Sequence, residues 1–123
     1  MGVQIIAWGT KHGPAPANDF EFNLRGLRNP YRLKNLRYLT GHDELVRQNV
    51  WDSPHVEERY AHIIRKVSEH VRSGRDTTVV FTCFAGRHRS VTFAYRLAED
   101  MRAMGVETKL ETPFARGEDH ERG

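Results

Sequence analysis

The stretch FTCFAGRHRSVTF, residues 81–93, contains a strand end, a turn and a helix start. Upstream, TTVVFTC (Thr77–Cys83) is a β-branched run and the strongest strand signal in the chain. Downstream, Val91, Ala94, Leu97, Ala98, Met101 and Met104 keep helical spacing until Gly105 stops the pattern. The first N–H groups of such a helix lack intrahelical partners and carry the positive end of its dipole, which suits a phosphate or carboxylate. Gly86 lets the backbone turn tightly enough for N–H groups to face an anion. Arg87, His88 and Arg89 add charge, and a guanidinium can grip two phosphate oxygens. Ser90 offers one more donor. The plainer alternative is a strand-to-helix turn whose Arg and His side chains face solvent.

Working outward, VQIIAWG (Val3–Gly9) reads as a buried strand, KHGPAPAND (Lys11–Asp19) as a loop and FEFNL (Phe20–Leu24) as a second strand. Asn29-Pro30 marks a turn inside an aperiodic segment, and DELVRQNVW is long enough for one or two helical turns. Ser53 is a candidate N-cap with Pro54 at the first helical position. Val56, Tyr60, Ile63, Ile64, Val67 and Val71 then line one face of an amphipathic helix that Gly74 ends. VETKLET (Val106–Thr112) is the last strand, and residues 113–123 read as a charged, flexible tail. Helix, strand, helix, strand in this order predicts a single α/β domain with a mostly parallel sheet flanked by helices.

The 123 residues suit one domain, and the formal net charge of +3 makes anionic partners plausible without requiring them. A single cysteine excludes an internal disulfide. With no basic-then-apolar leader and no membrane-length apolar run, a cytoplasmic protein without a membrane partner is expected. No nucleotide P-loop motif occurs, the histidines lack metal-ligand spacing, and neither a metal nor a cofactor is expected.

Cys83, five residues, then Arg89-Ser90 also fits the cysteine-phosphatase signature C-x5-R-[ST]. There a thiolate attacks phosphorus, with its pKa lowered by the helix terminus and the arginine. The chemistry also needs a general acid, for which Asp43 and Asp52 are the candidates. Against it, a lone cysteine at a strand end commonly serves as a small buried hydrophobe.

Two further stretches bear on ligands. In WGTKHG, Lys11 and His12 follow the first strand and can reach the same sheet edge. From Leu24 to Gly41 the chain carries Arg25, Arg28, Arg32, Lys34 and Arg37, with Tyr31 and Tyr38 interleaved and no acidic residue. Cations with stackable rings are what single-stranded RNA requires, and Arg28, Tyr31, Arg32, Lys34 and Arg37 are the candidate RNA contacts. A solvated basic loop is the alternative.

Four motifs taken together resemble the C-terminal domain of the RapZ family, the bacterial RNase adapter proteins. They are WGTKHG, FNLRGLRNPY, LTGHDELV and CFAGRHRS, in the family's order, and the likeness takes in most of the chain from Ile6 to about Lys109, which implies a domain over residues 6–112. The resemblance implies an α/β domain similar to the phosphosugar-binding part of phosphofructokinases. It also implies a bacterial regulator that binds small RNA and a glucosamine-6-phosphate-like ligand, without the N-terminal P-loop ATPase domain of full-length members. A homo-oligomer is compatible with it. The implied ligand residues are Lys11, His12, Asn23, Arg25 and the run Cys83, Phe84, Ala85, Gly86, Arg87, His88, Arg89 and Ser90. Two positions depart from the family pattern: Asn23 stands where Asp is usual, and Phe84-Ala85 where Thr-Gly is usual. On this basis the domain is expected to bind rather than catalyse.

Overall fold

The computed structural model describes residues 2–115. Its strands are β1 (Gly2–Gly9), β2 (Phe20–Asn23), β3 (Thr77–Cys83) and β4 (Glu107–Glu111), and its helices are α1 (Glu44–Trp51), α2 (Val56–Arg72) and α3 (Arg89–Ala103). The sheet has the order β2-β3-β1-β4, and every pairing in it is parallel. The expected α/β domain with a mostly parallel sheet is therefore present.

The sheet centre explains why β1 and β3 read as continuous apolar runs. Val3, Ile5 and Ala7 from β1 and Val79 and Phe81 from β3 enter one core with Tyr60, Ile63 and Val67 of α2 and Phe93, Leu97 and Met101 of α3. The intervening Ile6 and Val80 point to the other side of the pleat and are also buried. Phe81, Phe93, Tyr60 and Trp51 meet in edge or tilted ring contacts with centroids 5.0–5.9 Å apart, which ties β3 to all three helices.

Two expectations change. Ser53 does not cap α2. Its hydroxyl donates to the Val50 carbonyl at 2.6 Å and accepts from the Arg28 N–H at 2.7 Å, so it joins the end of α1 to the basic segment. Helix α2 starts after His55, which is left-handed at φ 59° and makes no side-chain cap. The segment expected to be a tail from residue 113 is packed where it begins. Ala115 is fully buried, its N–H donates to the Thr112 carbonyl at 3.1 Å, and Phe114 stacks on His12 with centroids 3.8 Å apart. Residues 116–123 of that tail lie outside the described residues.

Gly9 pairs with Cys83 and Asn23 with Thr82, so β1, β3 and β2 end at one edge of the sheet. Ligands of open parallel sheets bind beyond such carboxyl ends.

Candidate anion-binding pocket

The loop after β3 lies directly against the end of β1, and two glycines permit the approach. A Cβ on Gly9 would stand 2.5 Å from the Ala85 carbonyl carbon, and one on Gly86 would stand 2.6 Å from the Gly9 nitrogen. Gly86 is also left-handed at φ +74°. The Lys11 N–H donates to the Phe84 carbonyl at 3.0 Å, fastening the two loops together. Beyond the turn, α3 starts at Arg89 with no side-chain cap from His88.

A second set of bonds brings the aperiodic segment over this turn. The Gly41 N–H donates to the Arg87 carbonyl at 2.8 Å, and His88 Nε2 donates to the Leu39 carbonyl at 2.7 Å. Arg87 reaches the Tyr38 carbonyl at 3.5 Å and the Phe114 carbonyl at 3.4 Å. Gly41 is close-packed as well, since a Cβ there would lie 2.6 Å from the Thr92 nitrogen. Burial is the main force holding the His88 imidazole below its ordinary pKa. The Leu39 carbonyl pulls it up, and the neighbouring Arg87 and Arg89 push it down.

The loops enclose a cavity of about 540 Å³ lined by Lys11, Asn29, Tyr31, Arg37, Tyr38, Cys83, Phe84, Ala85, Arg87, His88 and Arg89. Four of these side chains are cationic and none is a carboxylate. The Arg89 Nε is buried and has no hydrogen-bond partner among the described residues, a costly state for a guanidinium N–H unless an acceptor enters. Cys83 is buried and its thiol donates to the Ser90 hydroxyl at 3.2 Å. Phe84 is exposed, with the Lys11 ammonium 6.0 Å from its ring centroid. Arg37 stacks over Tyr31 at 5.0 Å and donates from Nε to the Tyr31 carbonyl at 2.9 Å.

The sequence candidates thus divide. Lys11 and the residues around Cys83–Arg89 line the cavity, joined by Tyr31 and Arg37 of the basic segment. Gly86 and Ser90 are not among the lining residues: Gly86 packs against Gly9, and the Ser90 hydroxyl accepts from the Cys83 thiol. His12, Asn23 and Arg25 are not among the lining residues. His12 stacks on Phe114, and Asn23 Oδ1 accepts the Arg25 N–H at 3.0 Å in a local turn that an Asp could make equally well. Arg28 faces Asp52, with Nε 3.7 Å from the carboxylate, while Arg32 and Lys34 are exposed and outside the lining. Neither candidate acid lines the cavity: Asp52 is paired with Arg28, and Asp43 caps α1 by accepting the Leu45 N–H at 3.3 Å.

Two residues without a functional signal of their own in the sequence complete the site. Asn29 reads there only as a turn former, and Phe114, whose carbonyl meets Arg87, falls within the expected tail. The signal that could have found Phe114 is the short apolar Pro-Phe-Ala island inside a charged end.

The sequence profile of the RapZ C-terminal domain matches residues 1–113. A nucleotide-binding protein of Clostridioides difficile is 35% identical over 110 residues, covering 85% of this chain and 39% of that protein. One of a Synechococcus strain is 34% identical over 113 residues, covering 88% and 34%. One of Limosilactobacillus fermentum is 33% identical over 105 residues, covering 81% and 36%. The chain spans little more than a third of the length of these curated relatives.

Proposed function

The chain belongs to the RapZ C-terminal domain family, and on that premise we propose that it is a regulatory domain that binds a phosphorylated metabolite without acting on it. The observation that carries this is the buried Arg89 Nε, partnerless among the described residues, at the edge of an acid-free cavity beside the uncapped start of α3. A phosphate there meets a guanidinium, backbone N–H groups and the helix dipole together. A glucosamine-6-phosphate-like sugar phosphate is the ligand class, and the cytoplasm is the compartment. Among the described residues no helix is long and apolar enough to cross a membrane.

A phosphatase requires an acid over the leaving oxygen, and both Asp43 and Asp52 are engaged away from the cavity. The chemistry of the site therefore supports holding a phosphate rather than cleaving it. Titration calorimetry with inorganic phosphate and glucosamine 6-phosphate tests this; no heat at millimolar ligand with either would overturn it.

Structured RNA is a second ligand. It is favoured by Tyr31 and Tyr38, each 57% exposed, with exposed Arg32 and Lys34 between them. Replacing Arg32 and Lys34 with Ala should then lower the salt slope of binding by about one unit for each RNA phosphate that is no longer neutralised.

A further inference from the structure

We infer that Phe84 is a specificity-determining residue of this cavity: its ring is a platform for the apolar face of a closed sugar ring, so the site selects a pyranose phosphate over an open-chain phosphate of the same carbon number. The inference rests on the proposed sugar-phosphate site and specifies how the sugar is read.

The ring stands where core packing gives no reason for it. Phe84 directly follows Cys83, the buried last residue of β3, yet it is 65% exposed and lines the cavity. Its backbone is nonetheless fixed. The Phe84 carbonyl accepts the Lys11 N–H at 3.0 Å, and the next residue, Ala85, lies so close to β1 that a Cβ on Gly9 would stand 2.5 Å from its carbonyl carbon. A large apolar side chain on a fixed turn, lining a cavity instead of the core, gains its burial from whatever fills that cavity.

The chemistry of the lining says what that filling is. A phenyl ring has no hydrogen-bonding group and contributes only a face or an edge. The C–H groups on one side of a pyranose carry partial positive charge from the attached oxygens, and they match the negative π-face of an aromatic ring. An open-chain polyol presents no such continuous face. The hydroxyls at the rim of the sugar meet donors, since the Lys11 ammonium lies 6.0 Å from the Phe84 centroid and the lining includes Arg87 and Arg89 of the same turn. The other two rings are less suited. Tyr31 is covered by the Arg37 guanidinium at 5.0 Å, and Tyr38 belongs to the overlying segment rather than to the turn. Phe84 and Arg89 stand on one turn, so the sugar platform and the phosphate donor are carried by a single fixed element.

Calorimetry on the full chain with inorganic phosphate, glucose 6-phosphate and glucitol 6-phosphate tests this. The two esters share a carbon count and a terminal phosphate and differ in ring closure. Glucose 6-phosphate should bind at least about fourfold tighter than glucitol 6-phosphate, the gain from burying one methylene-sized patch. Phe84→Ala should bring that ratio close to one while inorganic phosphate stays within about twofold of the parent, and Phe84→Trp should restore it. Phe84 is exposed, so both variants keep the fold. A ratio near one in the parent, while phosphate itself binds, overturns the platform and leaves the anion site standing. A ratio that survives in Phe84→Ala does the same, because the rigidity of the closed ring would then account for it. Loss of inorganic phosphate binding in Phe84→Ala also overturns it, by assigning the residue to the shape of the anion loop. Absence of binding by every probe in the parent overturns both the platform and the anion site.

Discussion

The Cys83–Ser90 turn and the Leu24–Gly41 segment are both basic, and they hold their charges in opposite ways. The turn is pressed onto β1, with Gly86, His88 and Ser90 buried and Arg89 part-buried. The segment leaves Arg25, Arg28, Arg32 and Lys34 exposed and reaches the turn only near its end, through the Leu39 carbonyl and the Gly41 N–H. Charge held by packed backbone makes a site with fixed geometry, whereas charge on exposed side chains makes a surface that salt can screen.

Glycine substitutions probe that contrast with the largest effect. Gly86 and Gly26 both have positive φ, at +74° and +92°. A Cβ on Gly86 would also strike the Gly9 nitrogen at 2.6 Å and the Phe114 ring at 2.9 Å, whereas on Gly26 its nearest neighbour is the Arg59 guanidinium at 3.7 Å. Gly86→Ala should cost about 3 kcal/mol or more, and Gly26→Ala about 1 kcal/mol. Urea unfolding measures both; equal losses would mean that the turn is not locked onto β1.

Arginine substitutions come next. Arg89→Ala should weaken phosphate binding by roughly 1.5–3 kcal/mol, about ten- to 150-fold. Arg32→Ala, exposed and outside the cavity, should change it by less than about twofold. Calorimetry on the two variants decides, and a comparable loss in both would turn the pocket into a diffuse basic surface.

The same contrast explains what the sequence could reveal. The turn is legible because its neighbours are local and periodic: a β-branched run, a glycine, then apolar residues at helical spacing. Its placement at the carboxyl edge follows from the parallel sheet. The segment is not legible because nothing local shapes it. Its course is set by bonds that span about fifty residues, His88 to Leu39 and Gly41 to Arg87, which no short pattern records. Ser53 misleads for a related reason: a serine before a proline looks like a helix cap until a distant N–H, that of Arg28, claims its hydroxyl. Asn23 and Arg25, brought in by resemblance, are occupied with each other and with Arg59, which donates to both of their carbonyls.

His88 fastens the two regions together and should make their union pH-dependent. Its imidazole is held below the ordinary 6.5, chiefly by burial. In the unfolded chain it takes a proton as the pH falls through that value, while the folded chain resists. The unfolded state then binds more protons, so stability is full above pH 6.5 and declines below it, no more steeply than about 1.4 kcal/mol per pH unit for one group. His88→Gln, which keeps a donor for the Leu39 carbonyl, should show a shallower acid decline than the parent between pH 7.5 and 5.5. Superimposable declines in urea unfolding would free His88 of this role.

Cys83→Ser should have the smallest effect and carries the most weight for function. The thiol is buried and donates to Ser90 rather than pointing at an unclaimed acceptor. A serine hydroxyl can make the same bond, so phosphate affinity should stay within about twofold of the parent if, as proposed, Arg89 and backbone N–H groups hold the anion. Removing a true nucleophile abolishes turnover, whereas removing a supporting group leaves binding in place. An aryl-phosphate assay run beside calorimetry on parent and variant distinguishes the two, with no turnover expected in either protein. Hydrolysis by the parent that disappears in Cys83→Ser would make the same loop a phosphatase. It would also require an acid other than Asp43 or Asp52 as they stand, one capping α1 and the other paired with Arg28.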